Sequence, residues 1–124
     1  MTIQAIVINP DATFTVGPID ASLKGLQGIV GGYIEAVTTD DTTIFINEEG
    51  KLTGQEFNPL ATLLWWQLAP HMRGVDVLVG PAVVLGPVDG NGNETAVTKD
   101  TVYVFSSILL ATMLGDEDEE AVSL

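Results

Sequence analysis

Cysteine is absent from this chain and basic residues are scarce. Without a thiol there can be no disulfide, no thiolate metal site and no cysteine nucleophile, and a reducing cytoplasm is the expected setting. Four Lys and Arg stand against seventeen Asp and Glu, for a net charge of −13. Lys24, Lys51, Arg73 and Lys99 are scattered singly, so there is no basic cluster to neutralise a phosphate backbone or an anionic membrane surface. Direct nucleic-acid binding and membrane binding are therefore not expected.

Histidine occurs once, at His71. A metal site would need further ligands, and a catalytic histidine would need a nucleophile and an orienting acid. Just past Pro70, His71 reads instead as a helix-end residue that bonds free carbonyls. Long apolar runs are missing as well. Ten residues separate Pro59 from Pro70, and residues 102–114 include two serines and a threonine. A membrane span needs about twenty apolar residues. The first ten residues place no basic residue before their apolar run, which argues against an export signal.

What the chain does have is hydrophobic mass: 46% of its residues, with a mean hydropathy of +0.34. A disordered acidic chain would be poor in Val, Ile and Leu. The expectation is a folded core under a negatively charged surface. At 124 residues this is one domain, able to bury roughly two-thirds of its unfolded surface without cross-links.

Residues 3–8 (IQAIVI) read as a strand buried on both faces, followed by Asn9-Pro10-Asp11 turn chemistry. Residues 12–16 alternate and should pair back, with Phe14 and Val16 inward. Asp20 or Ser22 can cap a short helix whose Leu23, Leu26, Ile29 and Val30 share a face, and Gly31-Gly32 ends it. Gly25 and Gly28 weaken that helix unless they allow close packing. Residues 33–38 and 43–47 form a hairpin around Asp40-Asp41, and Gly50 is the expected positive-φ residue after it. Asn58 caps a helix that begins at Pro59 and ends before Pro70. Residues 75–85 read as a strand kinked at Gly80-Pro81, and residues 86–93 as a turn. From Thr98, the spacing of Val102, Phe105, Leu109 and Met113 favours a helix, although residues 102–105 alone favour a strand; Gly115 should stop it. The predicted fold is α+β: a single small domain over residues 1–115, with a mixed or antiparallel sheet of about five strands and two or three helices packed on it. Residues 116–124 form an acidic tail, expected to be disordered.

No pattern carries catalytic chemistry. Asp40-Asp41 and Glu48-Glu49 sit on turns, where neighbouring carboxylates diverge and stay hydrated. Asp89 to Glu94 superficially resembles a calcium loop but lacks the twelfth-position Glu and flanking helices. Gly28, Gly31 and Gly32 end a helix rather than begin one, the wrong polarity for a phosphate. Trp65-Trp66 is the most informative pair. Adjacent helix positions point about 100° apart, so one Trp should lie at a boundary unless a wide helix face buries both. With Leu64 and Leu68 they are interface candidates, and self-association is one expectation. The acidic tail reads either as solubilising charge, salt adaptation included, or as a segment for a basic partner.

Taken in order, several segments resemble a known family. They are Ile8-Asn9-Pro10, Val30-Gly31-Gly32-Tyr33-Ile34-Glu35, Asn47-Glu48-Glu49-Gly50-Lys51-Leu52, Asn58-Pro59-Leu60-Ala61-Thr62, and Asp76 through Gly86 (DVLVGPAVVLG). The family is a small domain of unknown function carried by bacteriophages, plasmids and mobile elements of Gram-positive and actinobacterial hosts. The resemblance spans roughly residues 3–88 and implies a compact α+β domain with no assigned activity, cofactor or catalytic residue. Tyr33, Asn47, Glu48 and Asn58 become polar-site candidates if the fold groups them.

The expected role is a non-enzymatic, cofactor-free protein-interaction module in the host cytoplasm, contacting a host protein or itself. Two alternatives stand beside it: an acidic mimic of nucleic acid that inhibits a DNA-binding host enzyme, and a domain that sequesters a small ligand.

Overall fold

The β-branched opening run forms β1 (Thr2–Ile8), which turns and pairs back antiparallel with β2 (Phe14–Asp20). The computed structural model describes the backbone of residues 2–122 and the side chains of residues 2–114. After β2, the Ser22 hydroxyl accepts from the Gly25 amide and starts α1 (Leu23–Val30). Gly31, at φ 81°, ends that helix in the left-handed conformation. The hairpin β3 (Ile34–Thr38) and β4 (Thr43–Asn47) follows. Next come α2 (Pro59–Leu68), a 3₁₀ turn at Pro70–Met72, β5 (Ala82–Leu85) and α3 (Lys99–Val122).

The five strands form one antiparallel sheet in the order β2-β1-β5-β4-β3. Helix α1 covers one face, and α2 with α3 cover the other. Period-two alternation divides the strand residues between two cores. Ile6, Ile8, Ile44, Ile46, Ala82 and Val84 meet Leu60, Leu64, Trp65 and Phe105. Ala5, Phe45, Val83 and Leu85 meet Leu26 and Val30 of α1. The uninterrupted apolar runs of β1, β4 and β5 are explained by this double coverage. The protein is a single small α+β domain.

Several local expectations change. β2 starts at Phe14 and continues through Pro18, because an edge strand tolerates a residue with no N–H. Phe14 and Val16 do face the α2–α3 side, but at the sheet edge they stay 40% and 50% exposed. Phe14 stacks edge-on against Phe105, with ring centroids 5.2 Å apart. Leu23 is exposed, whereas Leu26 and Val30 are buried. The strand read at residues 75–85 is only its last four residues. Residues 76–80 run outside the sheet beside α2, where Leu78 bonds Thr62 and Val79 forms an isolated bridge with Phe57, just before the helix. Gly50 has an ordinary φ, and the left-handed residue of that turn is Gly54.

The stretch from Thr98 is a helix, with Thr98 Oγ1 accepting from the Thr101 amide. Thr101 also bonds Thr42 at 2.8 Å, which ties the start of α3 to the β3–β4 turn. The α3 assignment continues past Gly115 to Val122, and the side chains of the expected acidic tail lie outside the described residues. Among the described residues no helix is long and apolar enough to cross a membrane.

Candidate functional site

Helix α1 must end with unpaired carbonyls, and the Val30 carbonyl is met by two side chains: Asn47 Nδ2 at 3.2 Å and Gln55 Nε2 at 3.4 Å. The Asn47 carboxamide oxygen in turn accepts from the Glu49 amide at 2.8 Å, shaping the turn after β4. Gly32 has to be small, because a Cβ there would stand 2.8 Å from Asn47 Nδ2. Asn58 is wholly buried and does similar work deeper in the protein. Its Nδ2 donates to the carbonyls of Ile8 and Gly80, both at 2.9 Å, and its Oδ1 caps α2 by accepting from Ala61 N at 3.1 Å. Thr62 closes the cluster, accepting from Leu78 N and donating to Leu78 O. Gly80 takes φ 73° beside the Gln55 carboxamide, where a side chain would collide. The segments that carry the family resemblance thus converge on one polar hub. It joins β1, α1, β4, α2 and the 76–80 segment.

Beside the hub lies an open groove. It runs between the α2-facing side of β3 and the α2–3₁₀ segment, and falls into two stretches of about 240 and 590 Å³ that share Val37, Trp65 and Met72. Ile46, Val37 and Trp65 give it an apolar floor, and Glu35, Glu48, Asp76 and Asp40 place carboxylates along it. Lys51 is its one lysine and is ion-paired with Asp76 at the rim. That hydrogen bond, with a second from the Val77 amide, holds the Asp76 carboxyl below its usual range. Trp66 Nε1 donates to the Asp76 carbonyl at 2.8 Å, which fixes the outer wall. Strand β3 forms the sheet edge alongside, with Glu35, Ala36 and Thr38 exposed.

The structure separates the residues singled out from sequence. Asn47 and Glu48 line the groove; Tyr33 and Asn58 do not. Tyr33 is exposed and contributes its carbonyl to the Glu48 amide. Asn58 has its donors and its acceptor engaged inside the protein. The four candidates are therefore not one polar pocket. Of the interface candidates, Leu64 is fully enclosed, Trp65 is 6% exposed, and Trp66 and Leu68 pack partly against the core. Leu64 thus offers no outer surface. Trp65 is buried and Trp66 lies at the boundary, where the 76–80 segment takes its indole N–H.

Sequence reading missed the roles of Glu35, Val37, Met72 and Asp76. The signal available was the inward parity of Glu35 and Val37 on an edge strand, where a carboxylate shares a face with core residues. His71 is exposed on the 3₁₀ turn and lines the wider stretch of the groove. Among the described residues no group of three or more His, Asp or Glu is placed to hold a metal ion.

Other carboxylates serve local turns. Asp11, Asp20 and Asp89 accept from amides or hydroxyls two to four residues on, and their pKa values are lowered, chiefly by the Thr13 hydroxyl, the Ser22 amide and the Asn93 amide respectively. By strand register, Asp11 and Glu48 lie at one end of the sheet, and Asp20, Asp40, Asp41 and Asp89 at the other.

No curated protein and no solved structure matches this chain. A family model does, over residues 1–109, which takes in all five strands, α1, α2 and the opening turns of α3. The chain belongs to the domain of unknown function family DUF3846.

Proposed function

We propose that the protein is a non-enzymatic interaction module of a phage or mobile element, which works in the host cytoplasm by holding an extended, basic segment of a partner protein along β3. The observation that carries this reading is the coincidence of an open sheet edge, an aromatic and aliphatic floor, and a rim with more carboxylates than cations. Strand addition supplies main-chain hydrogen bonds. Alternate side chains of the added strand would enter the groove over Val37 and Trp65, and Lys or Arg neighbours would meet Glu35, Glu48 and Asp40. The phage or mobile-element origin rests on the resemblance of the hub segments.

The nucleic-acid-mimic reading is less well supported, because the carboxylates divide between the two ends of the sheet and several are engaged by their own turns. The small-ligand reading loses two of the four residues it needed.

The test uses the full chain carrying Trp66→Phe, which leaves Trp65 as the single indole reporter, against a displayed library of seven-residue peptides. Enrichment of sequences alternating aliphatic with Lys or Arg, a change in Trp65 emission, and roughly tenfold weaker binding by Glu35→Lys/Glu48→Lys would support it. Selected peptides that bind equally well to the charge-reversed variant would refute it.

A further inference from the structure

Two strands bound the sheet, β2 and β3, and their main chains offer different things to a newcomer. Beside β2 the Asn9 amide donates to the Thr13 carbonyl, one step beyond the β1–β2 register. Bonded and unbonded pairs alternate along an antiparallel ladder. Thr15, Gly17 and Ile19 are therefore spent on β1, while Phe14, Val16 and Pro18 turn their main-chain groups outward. Pro18 has no N–H, so that edge lacks a donor within its run. At β3 the Glu48 amide donates to the Tyr33 carbonyl and the Thr39 amide to the Thr42 carbonyl, one at each end of the β3–β4 register. The same alternation spends Glu35 and Val37 on β4. It leaves the N–H and carbonyl groups of Ile34, Ala36 and Thr38 pointing away from the sheet, with no proline among them. One edge is blunted and the other is intact.

We infer that the segment taken up by β3 runs antiparallel to it and carries an apolar residue followed, two positions later, by a basic one. This rests on the groove reading above and fixes its pairing. Side chains of β3 alternate, with Glu35 and Val37 toward the groove and Ile34 toward α1. Added residues opposite Val37 and Glu35 thus enter the groove, and the three that bond Ile34, Ala36 and Thr38 do not. Beside Val37 the groove is walled by Trp65 and Met72, which suits an aliphatic side chain. Beside Glu35 it holds Glu48 and Asp76; Lys51 occupies Asp76, which leaves Glu35 and Glu48 to an incoming cation. Every strand pair in this sheet is antiparallel, and that ladder is the stronger per residue. The order from the partner's N-terminus is then apolar, spacer, basic. A second copy of β3 is a poor occupant, because it would bring another Glu35 and Glu48 to the same groove.

The test sets two capped peptides of one composition against the full chain carrying Trp66→Phe: Ser-Thr-Val-Thr-Arg-Thr-Ser and the same residues in reverse order. The first should bind roughly tenfold tighter, read by Trp65 emission. N-methylation of its central threonine, whose N–H would meet the Ala36 carbonyl, should weaken binding roughly tenfold. N-methylation of its valine, whose N–H would point away from β3, should change binding by less than about threefold. Ala36→Pro, which copies the arrangement of Pro18 in β2, should weaken the first peptide roughly tenfold with an unchanged far-ultraviolet spectrum. If that variant loses its fold, the methylated peptides decide the same point. Equal or tighter binding of the reversed peptide, equal effects of the two methyl groups, or binding of neither peptide up to roughly 1 mM would overturn the inference. Basic extended sequences enriched from the displayed library would still uphold the groove reading in those cases, whereas a library without such sequences would remove both.

Discussion

Asn58 and Glu48 both carry carbonyl-bearing side chains near the same end of the sheet, yet their surroundings are opposite. In the hub around Asn58, donors and acceptors meet carbonyls and amides of other segments, and the side chain is sealed from water. In the groove a few residues away, Glu48 and Glu35 project over an apolar floor and are exposed to solvent. A polar group that is fully paired inside the protein is holding chain segments together. One left open beside apolar surface keeps its charge and hydrogen bonds for something else. By that criterion the hub belongs to the fold, and the groove keeps the exposed charge that the proposed recognition role needs.

The contrast can be broken most directly at Asn58. Asn58→Ala removes the α2 cap and strands two buried carbonyls, and should cost about 3–5 kcal/mol in denaturant unfolding. A loss under about 1 kcal/mol would show that water or rearrangement satisfies those groups, and that the hub is not a fixed junction. Gly80→Ala comes next, at about 1–3 kcal/mol, since an L side chain must enter the left-handed region and crowd Gln55. Adding Gln55→Ala should recover only the crowding contribution. Full recovery would mean that the backbone conformation is unstrained.

The sharpest comparison sets Asn47→Ala against Glu48→Ala in adjacent positions. The first should cost about 1–3 kcal/mol, and the second should lie within about 0.5 kcal/mol of the parent. Equal losses would erase the distinction between hub and groove.

The smallest effect is at the groove rim. The folded Asp76 carboxyl titrates below its ordinary value of 3.8, so its stabilising contribution is present above that value and is lost as pH falls through the folded value. Both partners of the Lys51–Asp76 pair are about half exposed, which limits the contribution to about 1 kcal/mol at most. Asp76→Asn should therefore be slightly less stable than the parent at neutral pH and low salt. The difference should shrink as pH falls below 3.8 and vanish once it passes the lower folded value, where both carry a neutral side chain. A difference that persists there would show that the Lys51 ion pair is not its source.

Much of the architecture was legible because it depends on local signals. The Ser22 and Asn58 caps, the Gly31 terminus and the β3–β4 hairpin each follow from residue types within one turn of their effect. The helix from Thr98 was recognised for the same reason, since Phe105 and Leu109 recur at helical spacing. The strand at residues 75–85 was overextended because an apolar run is equally suited to a sheet and to packing on a helix. Leu78 is buried against α2 while Val83 is buried in the sheet, and nothing local distinguishes the two. Asn47 and Asn58 were recognisable as turn and cap residues. Their long-range bonds to Val30, Ile8 and Gly80 were not, because those partners lie 17, 50 and 22 residues away.

Composition and patterning by themselves determined that this acidic chain folds, that it is one α+β domain, and where its helices begin, since burial of Val, Ile and Leu and the satisfaction of helix-end amides depend on residue type and spacing. Which apolar residues became core and which became surface was decided only by tertiary packing. Trp65 was enclosed and Tyr103 left exposed because the sheet and the 76–80 segment close over α2, while among the described residues no other element packs over the far side of α3.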